Sequence, residues 1–178
     1  MTATLTGTKV RLRALTSADQ ETLRAYINDP DVLQFSNIYR PVTDAQQEAW
    51  WRGVNSNDTA TWFGIETLDG GQLVGTCCLV DIDWVGRVAE LRIRIGDKRA
   101  WGKSLGTEAC GLLLRFGFVH LNLERIWLRV FARNAAAQRM YEKLGFAVEG
   151  RLRRHWRLQG VTDDVIVMGL LRDEWKPA

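Results

Sequence analysis

"ELRIRIGDKRAWGKSLGTEA", residues 90–109, is the stretch on which the reading of this chain turns. With two residues before it, its first part reads "VAELRIRI" (88–95). Ala89, Leu91, Ile93 and Ile95 fall on one side and Glu90, Arg92 and Arg94 on the other, the period of a β-strand. Its last part opens a helix, because Leu105, Ala109, Leu112, Leu113 and Phe116 recur at the spacing of an amphipathic stripe. Between them lies Gly102-Lys103-Ser104, followed by Gly106. A nucleoside-triphosphate loop needs a glycine five residues before Gly102, but that position is Asp97, and Gly96 comes one residue too early. Two readings stay open on these residues alone. Gly102 and Gly106 are either the freedom a plain strand-to-helix turn requires, or part of a pyrophosphate cradle. In the second reading consecutive amides from Gly102 to Thr107 meet the anion at a helix N-terminus, with Lys103, Ser104 and Thr107 adding a charge and two hydroxyls.

Outward from this stretch, alternation predicts a first strand over 8–15, and Thr16 with Asp19 starts a helix that stops at Asp29-Pro30. A loop to Pro41 precedes a second helix capped by Thr43 and Gln46. Strands at 61–67 and 72–82 flank Asp69-Gly70-Gly71, a hairpin signal. After the helix from Leu105 come a strand at 125–131, a helix from Asn134 to Leu144 closed by Gly145, and two strands near 148–158 and 164–171. The predicted order is β-α-α-β-β-β-α-β-α-β-β, an α/β fold with a mixed sheet (α+β in character) in one domain. The unit from 88 to 131 should be a right-handed parallel crossover with the loop at the strand's carboxyl end, where α/β sheets gather ligands.

Composition narrows the function classes. The chain has 178 residues, 46% apolar and 25% charged, with a net charge of +3. That is an ordinary globular balance and too mild a charge to imply nucleic acid. No apolar run reaches membrane-spanning length and the N-terminus lacks a signal segment, so a cytoplasmic protein without membrane partners is expected. The three cysteines offer no metal-ligand spacing and read as small buried apolar residues, so no metal is expected. One segment, "GRLRRHWRLQG" (150–160), is locally basic; as a strand it puts Arg151, Arg153, His155 and Arg157 on one face.

A second motif separates the open readings. Trp101-Gly102-Lys103-Ser104-Leu105-Gly106 stands where the GNAT N-acetyltransferase superfamily has its acetyl-CoA loop, R/Q-x-x-G-x-G/A. "NAAAQRMYEKLGF" (134–146) resembles the second signature of that superfamily, N-x-x-A-x-x-x-Y-x-x-x-G-F, at Asn134, Ala137, Tyr141, Gly145 and Phe146. The element order is similar too. The chain looks most like the branch of ribosomal-protein N-terminal, polyamine and nucleotide-sugar amine acetyltransferases. Two departures stand out: Trp101 replaces Gln or Arg, and Ser104 replaces a loop glycine, at about 1 kcal/mol or more of strain if that position needs positive φ.

The resemblance implies acetyl-CoA as co-substrate, held by Trp101 through Thr107, by Asn134 and Ala137, and by main-chain groups of Ile93, Arg94 and Ile95. Lys143 and Arg139 are candidates for the outer phosphates. A lysine-like amine is neutral about once in 2,500 at pH 7, so a general base is worth roughly 10² to 10⁴ in rate. Glu90 is the candidate base, provided burial raises its pKa against the pull of Arg92 and Arg94. Tyr141 lies on the apolar stripe of its helix, and the resemblance implies that its hydroxyl protonates the leaving thiolate.

The acceptor, a small-molecule or peptide amine, would enter between the first helices and the last hairpin. Asp29, Asp31 and Asp44 favour a polycation there, whereas the arginines of 151–157 favour an acidic acceptor. The alternative function is a non-catalytic acyl-CoA-binding or ribosome-associated module. Eight tryptophans suggest a homodimer face or an aromatic acceptor pocket.

Overall fold

A computed structural model describes residues 5–36, 38, 40–158 and 160–177. One eight-stranded sheet organises the chain, in the order β1-β2-β3-β4-β5-β6-β8-β7. The strands are β1 (Leu5–Thr6), β2 (Val10–Arg13), β3 (Thr61–Thr67), β4 (Leu73–Asp83), β5 (Val88–Ile95), β6 (Arg125–Phe131), β7 (Ala147–Leu158) and β8 (Val161–Leu171). Every neighbouring pair is antiparallel except β5 and β6. The helices are α1 (Gln20–Ile27), α2 (Pro30–Leu33), α3 (Asp44–Ser56), α4 (Leu105–Arg115) and α5 (Ala135–Lys143). Among the described residues no helix is long and apolar enough to cross a membrane.

The parallel crossover β5-α4-β6 carries the core. Strand β4 is buried along almost its whole length, with Cys77 and Cys78 at 0–1% exposure, as befits a central strand covered on both faces. All three cysteines are free and buried. Helix α4 buries Leu105, Ala109, Cys110, Leu113 and Leu114. Its last turn widens to π geometry over Phe116–His120, and that extra residue per turn rotates Phe118 fully into the core. Phe116, placed by a regular helical period on the inner stripe, is left only partly buried.

Both capping boxes form, Thr16 with Asp19 and Thr43 with Gln46. The loop expected over 29–41 contains the short helix α2, with Pro30 as its first residue and the Asp29 side chain accepting from the Asp31 amide at 2.9 Å. Pro30 ends one helix and begins another, since a first helical position needs no amide. Strand β1 was not expected; two residues carry no period. The Asn28 side chain closes the loop by accepting from the Val42 amide (2.7 Å) and donating to its carbonyl (3.0 Å).

Strand β7 does not alternate through its basic stretch. Leu152 pairs with Val165 but Trp156 with Asp163, so three residues bulge opposite one, and Arg154 takes φ 53°. The expected common face for Arg151, Arg153, His155 and Arg157 is therefore broken. Arg151 binds Asp164 at 2.6 Å, whereas His155 and Trp156 turn to the cavity described below.

Candidate active site

The site begins where two parallel strands part. Strand β5 pairs with β6 only from Val88 to Glu90, against Arg125 to Trp127. From Leu91 to Ile95 it keeps its β4 partner and has none on the other edge among the described residues. A cavity of about 410 Å³ fills the divergence, walled by Glu90 to Ile95 on one side and Arg129 to Phe131 on the other. At the far end of the open edge, the Trp101 indole N–H donates to the Ile95 carbonyl at 2.9 Å.

The loop after β5 is buckled by a buried carboxylate. Asp97, 5% exposed, accepts from the Arg99 main-chain amide (2.9 Å), the Arg99 guanidinium and the Gln72 side-chain amide (2.8 Å). The hydrogen bonds and charge of Arg99 hold its pKa below the usual carboxylate range against opposing burial. The residue that disqualifies a triphosphate loop is thus a structural clasp. Beyond it Gly102 and Ser104 both take positive φ, 73° and 63°. Ser104 makes no side-chain cap, and the amides of Lys103 through Thr107 form no hydrogen bond within the chain among the described residues. A helix start always leaves such donors, and here they follow directly on the open strand edge. Leu105 is buried, and of this loop only Trp101 and Gly106 line the cavity.

Helix α5 supplies the opposite wall. The Asn134 side chain accepts from the Ala137 amide at 3.1 Å, and Asn134, Ala137, Met140 and Tyr141 line the cavity. Tyr141 is 7% exposed, its ring edge-on to Phe146 at 5.7 Å, and Gly145 with φ 98° closes the helix beneath it. Burial pushes its phenol well above the ordinary value. No hydrogen bond holds its hydroxyl among the described residues. Arg139 and Lys143 are exposed and do not reach the cavity wall.

Glu90 departs from expectation. Its side chain is 3% exposed, and it accepts from Arg129 at 2.9 and 3.1 Å and from Arg92 at 3.0 Å. Burial pulls its pKa up, but the hydrogen bonds and charges of Arg129 and Arg92 together pull further, and the net shift is downward. The raised pKa that a general base would need is absent. Asp29, Asp31 and Asp44 are likewise engaged: the first two bind Lys98 at 2.9 and 2.8 Å, the third binds Arg24 at 2.8 Å.

Helix α2 brings Val32 to the cavity, and the loop after it brings Phe35 and Ser36. Arg129, Phe131 and Trp156 were not foreseen, and His155 only as part of the basic strand face. Arg129 and Phe131 share the parity of Trp127 in "RIWLRVF", a signal available in the sequence once β5 and β6 are paired. His155 and Trp156 reach the site through the β7 bulge, which no periodicity announces.

The chain is similar to known proteins along most of its length. The model of the acetyltransferase (GNAT) domain matches residues 9–147. An uncharacterized N-acetyltransferase p20 of Bacillus licheniformis is 31% identical over 176 residues, covering 97% of this chain and 98% of that protein. Spermidine N(1)-acetyltransferase of Escherichia coli is 36% identical over 105 residues, 59% of this chain and 56% of that one. Among solved structures, spermidine N-acetyltransferase from Vibrio cholerae in complex with CoA and spermine superposes with a TM-score of 0.86. It is 26% identical, over 93% of this chain and 96% of that chain.

Proposed function

Because the chain belongs to the GNAT acetyltransferase family, we propose that this acyltransferase moves the acetyl group of acetyl-CoA to a small primary amine by direct attack. The observation that carries this reading is the open edge of β5 leading from the free amides of the loop to the Tyr141 phenol. The residues present fit acetyl-CoA. Main-chain groups of Ile93, Arg94 and Ile95 would take its pantetheine arm as an added strand, the amides from Gly102 to Thr107 its diphosphate, and Asn134 and Ala137 its flank.

Acetyl-CoA supplies the thioester whose acyl carbon the amine attacks. Tyr141 would donate its proton to the departing sulfur and recover one from the nitrogen that becomes the amide, so that amine and thioester give amide and thiol. Its raised pKa keeps the phenol protonated throughout the working range, and the same burial raises the basicity of a thiolate formed beside it, so donation between them is not prohibitively uphill. Glu90 holds Arg92 and Arg129 at the cavity wall, and in that pairing it is ionised and a weak base.

Release of free thiol from acetyl-CoA, followed across a panel of primary amines, tests the reading. Thiol release should depend on both amine and enzyme. Tyr141→Phe should lower kcat by about 10²-fold or more while melting at the wild-type temperature. Unchanged turnover would remove Tyr141 from the chemistry, and no amine-dependent release would remove the reading itself.

A further inference from the structure

A second cavity, of about 430 Å³, lies beside the first, among α1, α3 and β4. Trp50 and Trp62 meet edge to face in its wall at 5.3 Å, and Tyr26 is fixed there by its hydroxyl donating to the Leu73 carbonyl at 2.9 Å. Arg94 lines this cavity and the first one as well. It is the one residue of β5 that lines both.

Arg94 has an unusual position for a guanidinium. It is half-buried, it donates to the Ser36 hydroxyl at 3.1 Å, and no carboxylate lies within 4.0 Å of it among the described residues. Burial draws its pKa down. The neighbouring arginines of β5 and β6, Arg92 and Arg129, are answered by Glu90, which is also the only carboxylate lining either cavity among the described residues. A buried charge without a counter-ion is costly, and chains keep one where a ligand completes the pair. The second cavity holds another unmatched donor. The Gln47 side-chain nitrogen is buried with no hydrogen-bond partner among the described residues, in a residue 7% exposed. Both residues line the second cavity, and two donors in need of partners there suit an acceptor with two oxygens. A polycation finds no such welcome, because Asp29, Asp31 and Asp44 are already paired with Lys98 and Arg24.

We propose that Arg94, with Gln47 beside the same cavity, seats a carboxylate of the acceptor, so that the preferred substrate is an amine carrying a carboxylate on an apolar body and not a polyamine. The proposal rests on the acetyl-transfer reading for its chemistry and leaves each step of that chemistry as written above. The apolar body would lie against Trp50, Trp62 and Tyr26, while the amine reaches the first cavity.

Matched pairs of amines that differ only in the carboxylate make the test: leucine with 3-methylbutylamine, phenylalanine with phenethylamine, 6-aminohexanoate with pentylamine, and spermidine as the polycation. In thiol release, at least one carboxylated member should exceed its partner in kcat/KM by at least about 10-fold, and exceed spermidine. In Arg94→Met that ratio should fall to about one, and in Gln47→Leu by about threefold. The ratio is read within each variant, so a change in overall activity does not affect it. If Arg94→Met does not fold, the wild-type ratio and Gln47→Leu decide. Calorimetric binding of the same pairs separates the two claims. Carboxylate-dependent binding without thiol release upholds the seat and removes the acetyl-transfer reading. Thiol release with spermidine preferred, or with a ratio that Arg94→Met leaves intact, overturns the seat and leaves acetyl transfer standing. Neither binding nor release overturns both.

Discussion

Ser104 sits in a backbone conformation that suits glycine. At φ 63° and ψ 14° its Cβ crowds the following carbonyl, a cost of about 1 kcal/mol or more that no side-chain cap offsets. Replacing it with glycine removes the clash but adds freedom to the unfolded chain, about 0.5 kcal/mol in the other direction. Ser104→Gly should therefore raise the melting temperature by about 1–3 °C with the loop's backbone unchanged. A lower melting temperature would mean that the hydroxyl contributes a contact. The serine was legible as a departure from the glycine usual in such loops, and its strain only from the dihedral. Tyr141 was legible because a motif names it. Arg94 was legible only through its main chain: as one of three alternating charges on β5, its side chain looked like Arg92 or any solvated residue. What distinguishes it is the lack of a counter-charge among the described residues, which depends on every neighbour at once.

At the scale of elements, the pairing of β4 with β5 depends on Gly75. A Cβ there would run into the carbonyl oxygen of Arg94 and the Cα of Ile95, both backbone atoms that cannot swing aside. Gly75→Ala should destabilise the protein by about 1–3 kcal/mol in urea denaturation. It should also weaken acetyl-CoA binding, since the displaced residues form the open edge. Unchanged affinity alongside reduced stability would show that the edge is not the docking line. Strands with sustained alternation, such as 88–95 and 125–131, and helices with a cap and a stripe, such as α3 and α5, could be read directly from the chain. The β7 bulge and the π turn at Phe116–His120 could not, because each is an irregularity imposed by packing: the bulge turns Trp156 toward Phe131, 5.9 Å away, and the π turn presses Phe118 against Trp175 at 5.3 Å. Local propensity has no term for either.

For the whole molecule, carboxylates held by arginines set the response to acid. Asp19 is lowered first by its hydrogen bonds from Arg13. Glu66 and Glu90 are lowered by their arginines against opposing burial, and Glu149 by Arg125. Each contributes its stabilisation in full above its ordinary value, 3.8 for aspartate and 4.5 for glutamate, and loses it as pH falls through the lower folded value. Melting temperature should be nearly flat above about pH 5 and drop steeply below about pH 4. A profile that stays level to pH 3 would mean that these pairs contribute nothing net.

The tie between the Trp101 indole and the Ile95 carbonyl has an optical consequence. An indole 40% exposed to water, anchored beside a row of unsatisfied amides, emits according to the polarity around it. The difference in fluorescence between the native chain and Trp101→Phe therefore isolates one natural chromophore at the mouth of the groove. Mixed rapidly with coenzyme, it gives the arrival and departure rates without any attached dye.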